Sequence, residues 1–447
     1  MGRSGSTAGW NLRRLTVRQV LWLLNSTPAG TVCTRRRVEG WIERGGVQVA
    51  DADGRIDLFR LAGWLWNQRQ AGGEADGGDS YERHRERVGR HKRSRSESAR
   101  EIGDLPRVRR PRVRAASERS LERFCRWYLT ETFSLPFSDD HRKVIAAIER
   151  CIEGGGQFVY AMPRGSGKTS LLEAATLWAI LSGRRRAVAL IGPDEQHATE
   201  RAQNLRAAIE YNDRLAQDWP EVCHGVRCLR GVGQRRLLYR GKPVRYELSG
   251  KRLVLARLGD RGIETGAVVW CAGVTGQIRG MAYRGPDGRV WRPQVIIVDD
   301  PQTDESARSP AQTASREAIL TGAVLGLAGP GKRPAVIVAG TVIEADDLMD
   351  RLFDRETHPD WHGERLALVY RWPDRGDLWD EYLAIRRRAL RRGGSGAAAT
   401  KFYRAHREEM DRGAKVAWPE RYDPVTELSA IQHAYNLRAR DERAFWS

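Results

Sequence analysis

The sequence has few cysteines and no closely spaced pair of them. Its 447 residues include 6 cysteines, at positions 33, 125, 151, 223, 228 and 271, and no C-x-x-C pair occurs. Zinc ribbons and disulfide frameworks depend on such pairs, so neither is predicted. The tightest group, CHGVRC, contains Cys223, His224 and Cys228. We interpret it as ordinary structural residues, because a second pair of metal ligands is missing.

Long apolar runs are absent as well. No stretch approaches the roughly 20 apolar residues that a membrane-spanning helix needs. The first residues lack the apolar segment of a secretory signal peptide. The chain is therefore expected to be soluble and intracellular, with no membrane partner.

Acidic residues are in deficit. Asp and Glu number 57 against 76 Lys and Arg, which gives a formal net charge of +19. An excess of this size favours a polyanionic partner, because basic side chains that contact phosphates release the counterions of a nucleic acid. Nucleic acid is the chief partner that this charge favours.

Residues 1–70 have the pattern of a winged helix–turn–helix domain. Apolar residues of LTVRQVLWLLN recur at helical spacing, and TRRRVEGWIERGG predicts a second helix that Thr34 caps and Gly45–Gly46 end. VQVADADGRIDLF predicts a wing of two short strands about an Asp–Gly turn, and RLAGWLWNQRQ predicts a closing helix. Arg35, Arg36 and Arg37 would begin the helix that enters the major groove. A small protein-binding domain with a solvated basic face is the alternative.

Residues 71–118 are rich in arginine, punctuated by proline and glycine, and poor in large apolar side chains. Such a composition cannot build a core. The segment is predicted to be a flexible basic linker, either a strap along DNA phosphates or a solvated connection.

A phosphate-binding loop is predicted at FVYAMPRGSGKTSLLEAA, residues 158–175. A short apolar strand runs into a glycine-rich turn and then into a helix, and Gly165, Gly167, Lys168 and Thr169 fit the pattern GxxxxGK[ST]. Met162 occupies the first glycine position. In such loops backbone N–H groups hold phosphates, the lysine reaches the terminal phosphates and the threonine hydroxyl binds Mg²⁺.

The acidic partner of this loop is predicted in WRPQVIIVDDPQTDES. Val295–Val298 is a continuous apolar run typical of a parallel strand covered on both faces, and it ends in Asp299 and Asp300. Two adjacent carboxylates there suit metal binding by the first and activation of water by the second. An ordinary strand-ending turn is the alternative.

Residues 119–374 alternate strands and helices, which predicts an α/β fold of the P-loop NTPase type, RecA/ASCE-like, with a mostly parallel sheet flanked by helices. Short β runs between residues 228 and 291 predict an inserted hairpin region. A further buried strand, Ala335–Val338, leads to Gly340–Thr341, which could sense the γ-phosphate. Residues 375–447 are predicted to be a helical extension.

Several motifs together resemble the large terminase subunit of tailed bacteriophages and prophages, the ATPase that packages viral DNA. They are AMPRGSGKT, GQIRGM ahead of VIIVDDPQTDESARSP, AVLGLAGPGK, AGTVI and FYRAHREEMDRGAKVAWPER. The similarity extends from about Glu118 to Ser447. Residues 10–70 weakly resemble the winged helix–turn–helix of small terminase subunits.

The resemblance implies roles for individual residues. ATP would be bound by Arg164, Gly165, Ser166, Gly167, Lys168, Thr169, Ser170 and Thr341, and Mg²⁺ by Thr169 and Asp299. Arg164 would stabilise charge on the γ-phosphate. Asp300 stands where the family usually has a glutamate that activates water, and Glu305 is the fallback for that role. Arg279, in GQIRGM, would contact DNA or a partner subunit, unless it is a plain surface arginine.

The resemblance also implies an assembly and a location. We expect a homo-oligomeric ring that meets a portal protein and a small terminase subunit, in the bacterial cytoplasm and transiently at the procapsid. The family usually continues into a nuclease domain, and no acid after residue 374 ends an apolar strand, so nuclease activity is not expected from this chain. An ATP-switched DNA-binding regulator and a helicase-type motor remain alternative functions.

Overall fold

The computed structural model describes residues 10–25, 33–71, 100–231, 236–276, 278–286, 288–442 and 445. The chain divides into two compact units, Met1–Glu97 and Ser98–Ser447. Within the described ranges no helix combines the length and the apolarity that crossing a bilayer demands.

The described part of the first unit contains three helices. Its helices are α1 (Val17–Asn25), α2 (Arg35–Gly45) and α3 (Leu58–Ala71), with a 3₁₀ turn at Gly46–Gln48. Leu15, Val20, Val38, Ile56 and Leu61 form its buried core. Thr34 occupies the N-cap position of α2 without a side-chain hydrogen bond, and the helix ends at Gly46 with φ of 45°.

The wing of this unit differs from the expected pair of strands. Only isolated bridges form here among the described residues, and they join Ile56 to Leu15 and to Ala50. The turn itself explains the short pairing. The carboxylate of Asp51 accepts the backbone N–H of Arg55 at 2.8 Å, which removes the donor that would extend the ladder.

The second unit is built around a large sheet. Its strands are β1 (Arg100–Glu101), β2 (Gly156–Ala161), β3 (Ala187–Gly192), β4 (Leu237–Tyr239), β5 (Lys242–Val244), β6 (Glu247–Leu248), β7 (Arg252–Gly259), β8 (Gly262–Gly273), β9 (Tyr283–Arg284), β10 (Val290–Trp291), β11 (Val295–Asp299), β12 (Ala335–Gly340), β13 (Trp361–Arg365), β14 (Val369–Arg371) and β15 (Lys415–Val416). The central sheet has eight strands in the order β13, β2, β12, β11, β3, β8, β7 and β6. The first six strands are parallel to one another. β7 is antiparallel to β8, and β6 is antiparallel to β7.

Helices flank this sheet and form the end of the chain. They are α4 (Pro111–Glu118), α5 (Leu121–Tyr128), α6 (Asp139–Gly154), α7 (Lys168–Leu181), α8 (Glu195–Tyr211), α9 (Asp213–Asp218), α10 (Pro220–Cys228), α11 (Asp304–Ala307), α12 (Pro310–Ala318), α13 (Leu348–Leu352), α14 (Gly376–Arg391), α15 (Ala397–Ala405), α16 (Arg407–Asp411) and α17 (Ala430–Arg440), with a π-helical turn at Ile319–Val324. The expectation of an α/β fold with a mostly parallel, helix-flanked sheet is confirmed.

Both faces of the sheet are buried, as the apolar strand sequences predict. In β11, Val295 and Ile297 pack into one core cluster, and Ile296 and Val298 pack into the cluster on the opposite face. Because β12 lies between β2 and β11, the carboxyl ends of all three strands meet at one edge. That edge positions the candidate site.

The inserted β region is only partly separate from this sheet. β4 and β5 form a hairpin that pairs with β1, whereas β8 extends the parallel sheet beside β3, and β7 and β6 widen it.

Residues 100–118 are ordered, in contrast to the flexible linker that the composition predicts for residues 71–118. Arg100–Glu101 pairs with β4. Arg110 contacts Asp218, whose side chain is fully buried, at 3.0 Å, and Arg114 contacts Glu221 at 2.7 Å. The segment has almost no core of its own, but its arginines pair with acids of α9 and α10. Residues 72–99 of that linker lie outside the described residues.

The C-terminal lobe, residues 369–442 with 445, is mostly helical. Its core contains Trp379, Tyr382, Tyr403 and Tyr435. The pairing of β14 with β15 closes the lobe.

Candidate nucleotide site

The glycine-rich turn connects β2 to α7. Gly165 and Gly167 have φ of 76° and 78°, a left-handed conformation that favours glycine. Met162 is not among the residues with positive φ, and its backbone N–H donates to the carbonyl of Gly340 at 3.2 Å. The first glycine of the pattern is therefore not required by the backbone at this position.

Lys168 begins α7, and its side chain turns back over the loop. Its ammonium donates to the carbonyl of Met162 and to the hydroxyl of Thr341, each at 2.8 Å. Burial lowers the pKa of Lys168, and the nearby charges of Asp300 and Asp299 oppose that change. The lysine and Thr341 thus meet at the centre of the sheet edge.

Thr169 lies next to Asp299. The threonine hydroxyl donates to the Asp299 carboxylate at 3.0 Å, although the two residues are 130 positions apart. Burial raises the pKa of Asp299 to about 6; Asp300 adds to this rise, and Arg201 and Thr169 oppose it. A hydroxyl and a carboxylate are the oxygen ligands that Mg²⁺ takes beside a nucleotide, so this pair fits the metal.

Asp300 follows the strand in a left-handed conformation. Its φ is 52°, which aspartate tolerates better than most residues, and its backbone N–H donates to the carbonyl of Ala339 at 2.8 Å. Burial raises its pKa, while the charges of Lys168 and Arg164 oppose the rise. The carboxylate therefore lies within the electrostatic reach of the phosphate loop.

Glu305, the alternative for the same role, is exposed on the one-turn helix α11. In the described part of the chain it makes no hydrogen bond or ion pair with the loop. The structure thus brings Asp300, and not Glu305, to Lys168.

Arg164 forms an ion pair with a residue outside the loop that contains it. Its guanidinium pairs with Asp304, and both side chains are about half exposed, at 51% and 52%. Ser166 is buried at 6% exposure, and its backbone carbonyl lies 3.1 Å from Nε2 of His141. Ser170 is partly buried in the first turn of α7.

Three sets of residues at this edge were not singled out from the sequence. Arg201 of α8 contacts Asp299 at 3.5 Å and Glu173 at 3.1 Å. The amide of Gln302 donates to the carbonyl of Thr341 at 3.1 Å and to Asp347 at 2.8 Å. These bonds join the loop after β11 to the loop after β12.

The third is Arg421, from the C-terminal lobe, which contacts Ser166 and the carbonyl of Arg164. It lies in AWPER, part of the resemblance quoted above. No local pattern marked it, because its partners are more than 250 residues away.

Two further candidates from the sequence, Arg279 and the cysteine–histidine cluster, have no contact with the site residues in the described part of the chain. Arg279 is exposed, two residues after a position outside the described residues. Cys228 Sγ and His224 Nε2 are 3.8 Å apart, and no group of three potential metal ligands occurs in the parts of the chain that are described.

No family model matches the chain, and no curated protein matches it. The HK97 bacteriophage large terminase is similar over 64% of this chain and 50% of that chain, with 15% sequence identity and a TM-score of 0.34. The ATPase domain of the Thermus phage P74-26 large terminase is similar over 56% of this chain and 93% of that chain, with 17% identity and a TM-score of 0.30. The chain thus spans about half the length of the HK97 protein, and at these values the likeness assigns no role to any residue.

Proposed function

We propose that residues 119–374 hydrolyse ATP with Mg²⁺, and that this hydrolysis drives double-stranded DNA into a viral procapsid, as the ATPase part of a terminase large subunit does. The observation that carries the proposal is the contact of Thr169 with Asp299 beside Lys168. Three residue types required for Mg²⁺-nucleotide chemistry converge there from two distant segments.

Each residue of the loop has a part in the proposed reaction. Lys168 exchanges its contacts with Met162 and Thr341 for the β- and γ-phosphates. Backbone N–H groups of Gly165–Gly167 hold the phosphates at the start of α7. Mg²⁺, held by Thr169 and Asp299, would neutralise charge that develops on the phosphate oxygens.

Asp300 accepts a proton from, or orients, the attacking water. Arg164 leaves Asp304 and stabilises charge on the γ-phosphate, and Ser166 and Ser170 complete the nucleotide contacts. Thr341 loses its bond with Lys168 when the phosphate arrives, and the amide of Gln302 links that loop to Asp347. This link gives a physical route from phosphate occupancy to movement of the loop.

The DNA partner is supported by charge. The formal net charge is +19, and the exposed Arg35, Arg36 and Arg37 begin α2 of the first unit. We propose that residues 1–70 bind DNA through this helix and that residues 71–118 connect them to the motor. The ring assembly, the portal and small-subunit contacts, and a trans contact by Arg279 belong to the same proposal, as does action in the bacterial cytoplasm.

The test is phosphate release from ATP with Mg²⁺, measured with and without linear double-stranded DNA. A packaging motor should be stimulated several-fold by duplex DNA and should not separate its strands. Turnover that DNA leaves unchanged would favour the ATP-switched regulator, and ATP-dependent strand separation would favour a helicase.

A further inference from the structure

The C-terminal lobe returns to the phosphate loop through the segment after β15. In this segment, residues 417–422, the indole N–H of Trp418 donates to the carbonyl of Pro136 at 2.9 Å. The Trp418 ring also meets the His141 ring edge to face, with centroids 4.5 Å apart. The lobe is therefore docked beside the nucleotide site by contacts that do not involve a charge.

Arg421 lies one step further along this segment and reaches the loop itself. Its guanidinium donates to the hydroxyl of Ser166 at 3.2 Å and to the carbonyl of Arg164. A Cβ on Gly165 would stand 3.1 Å from the same guanidinium. The arginine thus lies against three consecutive residues of the glycine-rich turn, Arg164, Gly165 and Ser166.

The partners of Arg421 are all neutral. Among the described residues, no carboxylate lies within ion-pairing distance of its guanidinium, although 33 other pairs of basic and acidic groups are close enough to count. Burial lowers its pKa. A partly buried cation without an anion is costly, and the phosphate loop is where a polyanionic ligand would supply one.

Arg421 also lies within electrostatic reach of the lysine of the loop. Burial lowers the pKa of Lys168, and the positive charges of Arg164 and Arg421 lower it further. A phosphate bound by Lys168 would therefore lie within electrostatic reach of Arg421 as well.

We propose that Arg421 is a nucleotide-binding residue, contributed by the C-terminal lobe, that pairs with the phosphates of ADP or ATP. The inference rests on the proposed nucleotide site and goes beyond it, because it makes the nucleotide a bridge between the ATPase core and the lobe. Arg421 keeps its position through Trp418, so removing its charge should weaken phosphate binding without undocking the segment.

The test compares ADP, measured by calorimetry with Mg²⁺, and adenosine, measured by ligand-observed NMR titration. Arg421→Ala should weaken ADP binding by about 10- to 100-fold, the range for a lost hydrogen bond to a charged group, and leave adenosine binding unchanged. Arg421→Lys should recover part of the ADP affinity because it retains the charge. Arg404→Ala, an exposed arginine of the same lobe, should match wild type for both ligands.

The outcomes separate this inference from the proposed function. An equal loss for ADP and adenosine would make Arg421 a structural anchor and overturn the inference. Unchanged ADP binding by a folded Arg421→Ala protein would also overturn it, while the nucleotide site would stand. If wild type does not bind ADP, the proposed function fails and the inference fails with it. Should Arg421→Ala not fold, Arg421→Lys against wild type decides in the same way.

Discussion

Two buried carboxylates of the second unit, Asp299 and Glu427, have different surroundings. At the sheet edge, Asp299 accepts from Thr169 and stands 3.5 Å from Arg201, and burial raises its pKa to about 6. In the C-terminal lobe, Glu427 accepts from His433 at 2.7 Å, from Asn436 at 2.8 Å and from the backbone of Asp423 at 3.1 Å. Burial alone would raise the pKa of Glu427, but these bonds hold it below its ordinary value.

This difference distinguishes acids available for chemistry from acids used for stability. A carboxylate whose charged form is poorly compensated gains most from a bound cation. A carboxylate that its own lobe supplies with three donors has little to gain. We therefore expect Mg²⁺ to bind at the sheet edge, and we expect Glu427 to serve stability.

The largest expected effect is at Asp299. Asp299→Asn keeps the size of the side chain but removes the negative charge that would hold Mg²⁺, so ATP hydrolysis should fall to background at every Mg²⁺ concentration tested. Glu427→Gln makes the same chemical change in the lobe and should retain near wild-type turnover. Equal loss in both variants, with both folded, would abolish the distinction between the two regions.

The next largest effect tests whether Asp300 activates the attacking water. Asn accepts a left-handed backbone as readily as Asp, so Asp300→Asn tests the charge and not the turn. Turnover should fall by about 10²-fold, the scale of a lost general base, while ATP affinity is kept. Glu305→Gln is the matched variant on the exposed helix and should be near wild type. The reverse ranking would give the water-activating role to Glu305.

A smaller effect, on stability, is expected in the lobe. Glu427→Gln should lower the free energy of unfolding by about 1–3 kcal/mol, because charge-assisted bonds to His433 and Asn436 are weakened. Since the folded pKa of Glu427 is depressed, its contribution is complete above the unfolded pKa of roughly 4.3 and is lost as the pH falls through the folded value. Urea unfolding at pH 7 and below pH 4 should therefore give a difference that shrinks in acid. If the difference in unfolding free energy persists in acid, the loss of stability comes from packing of the side chain and not from its charge.

No effect at all is expected in a nuclease assay. Two-metal cleavage needs several carboxylates that converge on ions roughly 3.5–4 Å apart, and the described lobe residues contain no group of three potential metal ligands. Supercoiled plasmid should stay intact with Mn²⁺ or Mg²⁺. Plasmid cleavage that disappears when one acidic residue of the C-terminal lobe is replaced would contradict this, because it would place a metal-dependent nuclease site in the lobe.

The glycine-rich turn and the strand that ends in two acids could be predicted from the sequence because both are local patterns. A strand, a turn and a helix follow one another at residues 158–175, and an apolar run ends in Asp299 and Asp300. The parallel sheet then brings their carboxyl ends together, whatever the length of chain between them.

Contacts made across the fold were not predictable in this way. Arg421 reaches Ser166 over 255 residues, and Arg201 reaches Asp299 from a separate helix. Neither has a spacing that distinguishes it from the many surface arginines. For the same reason, the composition of residues 100–118 suggested a flexible linker, although Asp218 and Glu221 hold Arg110 and Arg114 in place.

The most direct test of the central claim is steady-state ATP hydrolysis by wild type and by Lys168→Ala, with Mg²⁺ and with duplex DNA present. Lys401→Ala, an exposed lysine of the C-terminal lobe, is the control for loss of one positive charge. The account predicts turnover by wild type and by Lys401→Ala, and turnover at background for a folded Lys168→Ala protein, because Lys168 is the lysine that the proposed site directs at the β- and γ-phosphates. Hydrolysis by Lys168→Ala at the wild-type rate would contradict the account and place the active site elsewhere.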